Sequence, residues 1–155
     1  MKHYQYVVGI TVVVTLLQLV ENPFKIHKWD VGATLRRLKT TTDKTANLHE
    51  VESLKDLNNK KNKAERKGQL VVIYFFTSWC EPCKNIASPA LSGYATDYPK
   101  TMFLKVNTGT RKDIKKHYSV RSVPTFKFIK KGTNLDDVVG ADMEEVKSML
   151  DQYGK

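Results

Sequence analysis

The strongest constraint on the fold is the stretch VVIYFFTSWCEPCKNIASPAL at residues 71–91. It opens with an almost unbroken run of β-branched and aromatic residues, a pattern typical of a strand buried on both faces in the centre of a sheet. The only two cysteines of the chain, Cys80 and Cys83, follow this run. Because a helix is predicted at about 82–94, the cysteine pair lies where a buried strand ends and a helix begins.

Strand and helix patterns alternate along the chain beyond Thr45. Ser53 is predicted to cap the first helix and Asp142 the last. The predicted elements are strands at 46–51, 69–76 and 101–107, helices at 53–68, 82–94 and 111–118, a hairpin at 125–140 and a final helix at 143–154. This βαβαβαββα order predicts an α/β domain over residues 46–155, with a mixed central sheet and helices on both faces.

The spacing of Cys80 and Cys83 suits thiol-disulfide exchange. A sulfur at the first turn of a helix faces unsatisfied amides and the positive end of the helix dipole, which favour its thiolate. One sulfur can then attack a foreign disulfide, and the other can resolve the mixed intermediate, in a two-electron exchange that needs no cofactor. Pro82, between them, suits the first turn of a helix.

Other roles for the two cysteines compete with this one. Structural zinc takes four ligands, and none of the four histidines stands in an H-x(3–5)-H arrangement, so no metal is predicted. A disulfide between positions three apart closes a loop too short to constrain the unfolded chain much, so structural stapling is not predicted. A pair that is retained but unused stays open as an alternative.

The motif WCEPCK resembles the W-C-G-P-C-K active-site motif of thioredoxins. The resemblance covers about residues 46–153. The segment RSVPTFKFIKKG resembles the family's segment with a cis-proline opposite the cysteines, which maps onto Pro124, with Val123 before it. VVGAD resembles the glycine-containing turn after the last strand, which maps onto Gly140. The resemblance implies a thioredoxin fold and a protein-disulfide oxidoreductase that acts on disulfides of protein substrates.

The resemblance also implies roles for individual residues. Cys80 would be the nucleophile and Cys83 the resolving thiol, with Trp79 as a shield beside them. The residues that would contact the substrate are Trp79, Pro82, Val123, Pro124 and Gly140. Ordinary packing is the alternative for Trp79 and Pro124.

The sequence departs from the thioredoxin pattern at three places around the motif. Tyr74 stands where the family usually has a buried aspartate that moves the proton of the resolving cysteine. Tyrosine, with a pKa near 10, is a poor base at neutral pH, so slow attack by Cys83 is predicted. Lys105 matches a lysine often found near that aspartate, and Tyr74 and Lys105 are therefore the candidates for proton transfer. A solvated strand lysine is the alternative for Lys105.

The other two departures concern the helix that follows. Glu81 replaces the usual glycine and places a negative charge next to the thiolate, which works against its stabilisation. Pro89 lies one residue later than the helix-kinking proline of most thioredoxins, which predicts a displaced kink.

The first 24 residues contain an uncharged apolar run, YVVGITVVVTLLQLV, at residues 6–20. The run is shorter than the roughly twenty apolar residues that cross a bilayer as an untilted helix. Because aromatic residues flank it, residues 1–24 are predicted to be a hydrophobic helix that anchors the protein in a membrane. A cleaved secretory signal and a helix buried in protein are the alternatives. Residues 25–45 show no sustained period and are predicted to be a linker.

Charge sets the predicted orientation of this anchor. More lysine and arginine follow the apolar run than precede it, which places the C-terminal domain on the cytoplasmic or matrix side of a single span. That side is reducing, so the predicted function is a membrane-tethered disulfide reductase. The mitochondrial inner membrane is one setting, and the secretory pathway is the alternative.

A second function from another class stays open. Because Tyr74 removes part of the catalytic apparatus, the chain is alternatively an accessory subunit of a large membrane assembly, such as a mitochondrial respiratory complex. Its partners would then be the other subunits of that assembly.

The net charge of +10 does not indicate a nucleic-acid partner. It arises from 26 lysine and arginine residues against 16 acidic ones, spread over separate segments at 58–67, 111–116 and 127–132. Few aromatic residues are interleaved with these charges. A nucleic-acid surface would gather its basic residues into one patch or stripe, so neither DNA nor RNA is predicted to bind.

Overall fold

Five strands and four helices alternate along residues 46–154, which are the residues that the computed structural model describes. The strands are β1 (Leu48–Glu50), β2 (Val71–Phe76), β3 (Met102–Asn107), β4 (Thr125–Lys130) and β5 (Thr133–Val139). The helices are α1 (Leu54–Arg66), α2 (Ser88–Asp97, entered through a π-helical turn at Cys83–Ala87), α3 (Lys112–His117) and α4 (Met143–Tyr153). The predicted order of elements is confirmed.

The strands form one mixed sheet in the order β1-β3-β2-β4-β5. Strands β1 and β2 run parallel to β3, whereas β4 pairs antiparallel with β2 and β5. The register between β4 and β5 shifts at Phe128 and Ile129. Lys131 and Gly132 join these two strands with φ values of 52° and 76°, as the tightest hairpin turns require. The predicted mixed sheet is confirmed.

Strand β2 is buried on both of its faces. Val72 and Tyr74 face one core cluster, which also holds residues of α2 and α4. Val71, Ile73 and Phe75 face the other, which holds residues of α1 and α3. All five side chains are fully shielded from solvent, which explains why the run is apolar without alternation. The helices therefore cover both faces of the sheet, as predicted.

The two predicted helix caps are present. Ser53 Oγ accepts the backbone N–H of Asp56 at 3.1 Å, and Asp142 Oδ1 accepts the backbone N–H of Glu145 at 3.0 Å. Each bond satisfies an amide donor that the first turn of a helix leaves without a partner. The caps therefore fix where α1 and α4 begin.

Residues 1–45 lie outside the described residues. The predicted hydrophobic helix at 1–24 and the predicted linker at 25–45 both fall in this part of the chain. The division of the chain into these two segments and a domain at 46–155 therefore stays a prediction.

Candidate active site

The cysteine turn and the Pro124 loop lie at the same end of the sheet. Strand β2 ends at Phe76, and the cysteine turn follows it. Pro124 comes directly before β4, whose first residue, Thr125, pairs with Phe75 near the end of β2. Because the two strands are antiparallel neighbours, the exit from β2 and the entry to β4 lie side by side.

Cys80 and Cys83 are joined by a disulfide, with an S–S distance of 2.08 Å and their Cα atoms 5.2 Å apart. The two residues differ in exposure, because Cys80 keeps 9% of its surface accessible and Cys83 only 1%. A foreign disulfide that approaches from solvent therefore meets Cys80 first.

Backbone donors at the start of the helix point at the first cysteine. The N–H of Cys83 donates to Cys80 Sγ at 3.2 Å, and the N–H of Lys84 donates to the carbonyl oxygen of Cys80, also at 3.2 Å. An amide directed at a sulfur, at the positive end of a helix, stabilises the thiolate once the disulfide is reduced. This geometry suits Cys80 as the attacking sulfur.

Glu81 and Pro82 occupy the exposed positions between the cysteines. The carboxylate of Glu81 accepts hydrogen bonds from Lys84 Nζ at 3.3 Å and from Asn85 Nδ2 at 3.1 Å. An exposed ion pair of this kind contributes little, so Lys84 offsets only part of the negative charge beside Cys80. Pro82 has a φ of −61° and helical backbone geometry, which fits the first-turn position predicted for it.

Trp79 presents an exposed ring beside the cysteines, with 69% of its surface accessible. The ring lies against Gly109, where an added Cβ would stand only 2.6 Å from Trp79 Cη2. The N–H of Gly109 donates to Asn107 Oδ1 at 3.0 Å, which holds this loop after β3 in place. Gly109 was not predicted from the sequence, because a lone glycine in a loop gives no signal until its tertiary contact is known.

Pro124 and Gly140 are brought together by a backbone hydrogen bond. The Val123–Pro124 peptide bond is cis, and the carbonyl oxygen of Pro124 accepts the N–H of Gly140 at 2.8 Å. Gly140 has a φ of +106°, a conformation that favours glycine. Val123 packs against the same core cluster as Cys80 and Cys83. The two segments matched to the thioredoxin pattern therefore meet next to the cysteine turn.

Tyr74 lies beneath the cysteines and is fully buried. Its hydroxyl oxygen is 3.2 Å from the carbonyl oxygen of Cys83 and 3.3 Å from Ser88 Oγ. Burial raises the pKa of Tyr74 above its usual value, and the hydrogen bond to Ser88 only partly opposes this shift. The phenol therefore stays protonated at neutral pH and acts as a hydrogen-bond donor.

Lys105 lies beside Tyr74, because the two residues pair in the register of β3 and β2. Its ammonium group is 5.2 Å from the centre of the Phe76 ring, within the range of a cation–π interaction. This contact joins Lys105 to a ring and not to a cysteine. A role for Lys105 in proton transfer therefore stays a prediction.

Helix α2 is entered through a π-helical turn, where the sequence predicted a displaced kink. The N–H of Ser88 donates to the carbonyl oxygen of Cys83, five residues back. In a regular α-helix the ring of Pro89 would clash with the carbonyl group of Asn85, and the wider turn lies just before that proline. The position of Pro89, one residue later than in most thioredoxins, predicted a change in this turn. It did not indicate that Ser88 is part of the site.

A bonded C-x-x-C pair at the start of a helix, beside a proline loop on a mixed five-stranded sheet, defines a protein-disulfide oxidoreductase. The thioredoxin family profile matches residues 49–152. The chain belongs to the thioredoxin family, and the predicted enzyme class is confirmed.

Individual relatives agree with this assignment. An H-type thioredoxin of Oryza sativa subsp. indica is 41% identical over 88 residues, which are 57% of this chain and 71% of the relative. Thioredoxin H1 of Arabidopsis thaliana is 38% identical over 96 residues, which are 62% of this chain and 83% of the relative. The X-ray structure of Fasciola hepatica thioredoxin superposes with a TM-score of 0.64 at 32% identity, covering 68% of this chain and 99% of that one.

The predicted membrane localisation is wrong. The two relatives described above are H-type thioredoxins, and within residues 46–154 no helix is long and apolar enough to cross a membrane. The longest described helix, α1, has 13 residues, whereas a span needs about twenty. The apolar run at 6–20, on which the prediction rested, lies outside the described residues. The predicted mitochondrial setting and the alternative role as a subunit of a membrane assembly gain no support from the relatives.

Proposed function

We propose that the protein reduces disulfides of protein substrates, with Cys80 as the nucleophile and Cys83 as the resolving thiol. The observation that carries this proposal is the asymmetry of the pair. Cys80 keeps an accessible surface and receives the N–H of Cys83 at its sulfur, whereas Cys83 is buried beneath it. The accessible sulfur is thus the one whose thiolate is stabilised.

The exchange needs only the two thiols and the substrate. The thiolate of Cys80 attacks one sulfur of the substrate cystine, so that a mixed disulfide forms and the other substrate sulfur leaves as a thiolate. Cys83, after loss of its proton to solvent, then attacks Cys80 Sγ. The Cys80–Cys83 disulfide forms, the second substrate thiolate leaves, and two electrons have passed from the protein to the substrate.

The substrate-binding surface in this proposal surrounds Cys80. Large apolar side chains near the site are exposed at Trp79 (69%), Ile86 (50%) and Val139 (64%). Pro82, Val123, Pro124 and Gly140 complete the proposed contact residues. An apolar rim around a reactive sulfur suits an extended segment of a protein substrate better than a small charged thiol.

The reducing direction is proposed from the charge beside Cys80. A dithiol oxidoreductase becomes a strong oxidant when its reduced form is stabilised, mainly through the thiolate. Glu81 is the next residue in the chain and places a negative charge near that thiolate, which opposes such stabilisation. Lys84 offsets this charge only in part, because both side chains are exposed.

Insulin reduction with dithiothreitol tests the proposal directly. The full chain should precipitate the insulin B chain, and Cys80→Ser should lose this activity. Reduced Cys83→Ser, mixed with insulin after dithiothreitol is removed, should accumulate a mixed disulfide visible on a non-reducing gel. Ser92→Ala, an exposed change on α2, is the control and should leave the rate within about twofold. Equal turnover by Cys80→Ser and the unmodified protein would end the proposal.

We also propose that residues 46–155 form the redox domain and that residues 25–45 form a linker before it. The match of the thioredoxin family profile to residues 49–152 supports the proposed extent of the redox domain.

A further inference from the structure

The widened first turn of α2 is closed by Ser88. Its N–H reaches the carbonyl oxygen of Cys83 across five residues, where a regular helix would use four. Single π-helical turns of this kind are rare and occur often at functional sites. The N–H of Ser88 is therefore a helical donor to the carbonyl group of Cys83.

The hydroxyl group of Tyr74 reaches the same carbonyl group from the sheet. It lies 3.2 Å from the Cys83 oxygen and 3.3 Å from Ser88 Oγ. A phenol has one proton to donate. Both contacts are hydrogen bonds if Ser88 donates to Tyr74 and Tyr74 donates to Cys83. The Cys83 oxygen then accepts from the Ser88 N–H and from the Tyr74 hydroxyl.

The side chain of Tyr74, which joins these hydrogen bonds, is held rigidly in the core. It lies in the central strand β2, fully buried, and its ring stacks on Phe126 at 4.9 Å and on Phe76 at 5.4 Å between ring centres. A ring packed in this way has little freedom to follow the helix. The backbone of Cys83 is consequently tied to the centre of the sheet through one phenol.

We propose that Ser88 and Tyr74 are positioning residues that hold Cys83 so that its sulfur faces Cys80 in the resolving step. The inference rests on the proposed function, because it assigns roles within that exchange. In the mixed disulfide, Cys83 must attack Cys80 Sγ in line with the bond that breaks, and a backbone held on two sides keeps it there. The two hydroxyl groups thus speed the resolving step by holding Cys83 in position, which offsets the slow removal of its proton.

The pair acts by position and not by taking the proton of Cys83. A protonated phenol donates to a carbonyl oxygen and has no basic oxygen to offer at neutral pH. Burial favours the protonated phenol of Tyr74, because it raises the pKa of this group. Removal of the hydroxyl should therefore lower the resolving rate without moving its pH dependence.

The two steps can be separated with the aromatic disulfide 5,5′-dithiobis(2-nitrobenzoate). The reduced full chain releases one thionitrobenzoate when Cys80 attacks and a second when Cys83 resolves the mixed disulfide. We expect Tyr74→Phe and Ser88→Ala each to slow the second release by about tenfold, the equivalent of one lost buried hydrogen bond. The first release should stay within about twofold.

Two further variants separate positioning from general loss of stability. Ser88→Thr keeps the hydroxyl and should restore most of the second rate. Tyr94→Phe removes another phenol, which donates to the carbonyl oxygen of Met143 at 2.9 Å, and should leave the second rate unchanged. An unchanged second release in both Tyr74→Phe and Ser88→Ala would overturn the inference. A shifted pH profile in Tyr74→Phe would overturn it in favour of proton transfer.

The inference and the proposed function fail in different ways. A protein that shows both releases but does not reduce insulin would refute the proposed function and leave the roles of Ser88 and Tyr74 intact. A protein that reduces insulin at the same rate with and without the two hydroxyl groups, and resolves at the same rate, would refute the inference alone.

Discussion

The ring of Trp79 lies against the backbone of Gly109, with Cη2 2.6 Å from the position that a Cβ on Gly109 would occupy. Even a methyl group there forces the ring or the loop to move, because real Cβ contacts are not this short. Trp79 is otherwise largely open to solvent. Its orientation therefore depends on a glycine thirty residues away in the chain.

We expect Gly109→Ala to displace Trp79 and to weaken substrate binding. The Michaelis constant for insulin should rise by about threefold to tenfold, because part of the proposed contact surface is lost. Trp79 fluorescence should also change, measured with Trp29 replaced by Phe so that one indole reports. Gly93→Ala is the control, since nothing lies within 4 Å of a Cβ there. Identical kinetics and spectra for the two alanine variants would contradict the predicted role of Gly109.

Gly140→Ala should lower both stability and activity. A φ of +106° is strained for any residue with a Cβ, at a cost of about 1–2 kcal/mol in the free energy of unfolding, measured in urea. Gly68→Ala is the matched control, because Gly68 has a φ of +67° and open space around it. Both variants should lose stability, but only Gly140→Ala should slow insulin reduction, since only Gly140 bonds to Pro124. Equal slowing in both would show that stability alone governs the rate.

Glu81→Gln should make the protein a weaker reductant. Removal of the negative charge beside the Cys80 thiolate stabilises the reduced form, so the reduction potential should become less negative by about 10 mV. Equilibration with glutathione at low salt measures this change. Glu52→Gln, which removes an exposed charge near the start of α1, should leave the potential unchanged. A more negative potential in Glu81→Gln would show that the carboxylate acts in another way.

Stability should fall on the alkaline side. Burial raises the pKa of four tyrosines above the ordinary value, namely Tyr74, Tyr94, Tyr98 and Tyr118. The unfolded chain loses these protons near pH 10, whereas the folded state keeps them longer. The stability that they contribute is therefore fully present below about pH 10 and is lost as pH rises through their folded-state pKa values. Urea midpoints measured upward from about pH 9 should decline, and less so in Tyr74→Phe. A flat profile would contradict this.

Local patterns were enough to predict most of the fold. The caps at Ser53 and Asp142 and the apolar run of β2 are signals carried by neighbouring residues, and the structure has each of them where the sequence indicates. The predicted hairpin at 125–140 belongs to the same class, because the chemistry of its turn, which the structure has at Lys131 and Gly132, is local.

The parts that sequence reasoning missed depend on contacts across the fold. The π-helical turn at Cys83–Ala87 lies just before Pro89, and a search for a period of 3.6 does not detect a single widened turn. The role of Ser88 is visible only from its hydrogen bond with Tyr74, and the role of Gly109 only from its contact with the ring of Trp79. The membrane prediction failed for another reason. It was drawn from the apolar run at 6–20 alone, whereas the correction comes from the relatives of the whole domain.

The shift in register between β4 and β5 bears on how the protein behaves at high concentration. Strand β5 is an outer strand of the sheet, and its residues 133–137 are exposed. Asp136 places negative charge there, Asp137 forms an ion pair with Lys127, and the shift at Phe128 and Ile129 disturbs the regular ladder. Charge and bulges are the means by which natural proteins keep an outer strand from recruiting another molecule. Both features of β5 therefore oppose the addition of a strand from another molecule at this edge of the sheet, while the apolar rim around Cys80 stays open to substrates.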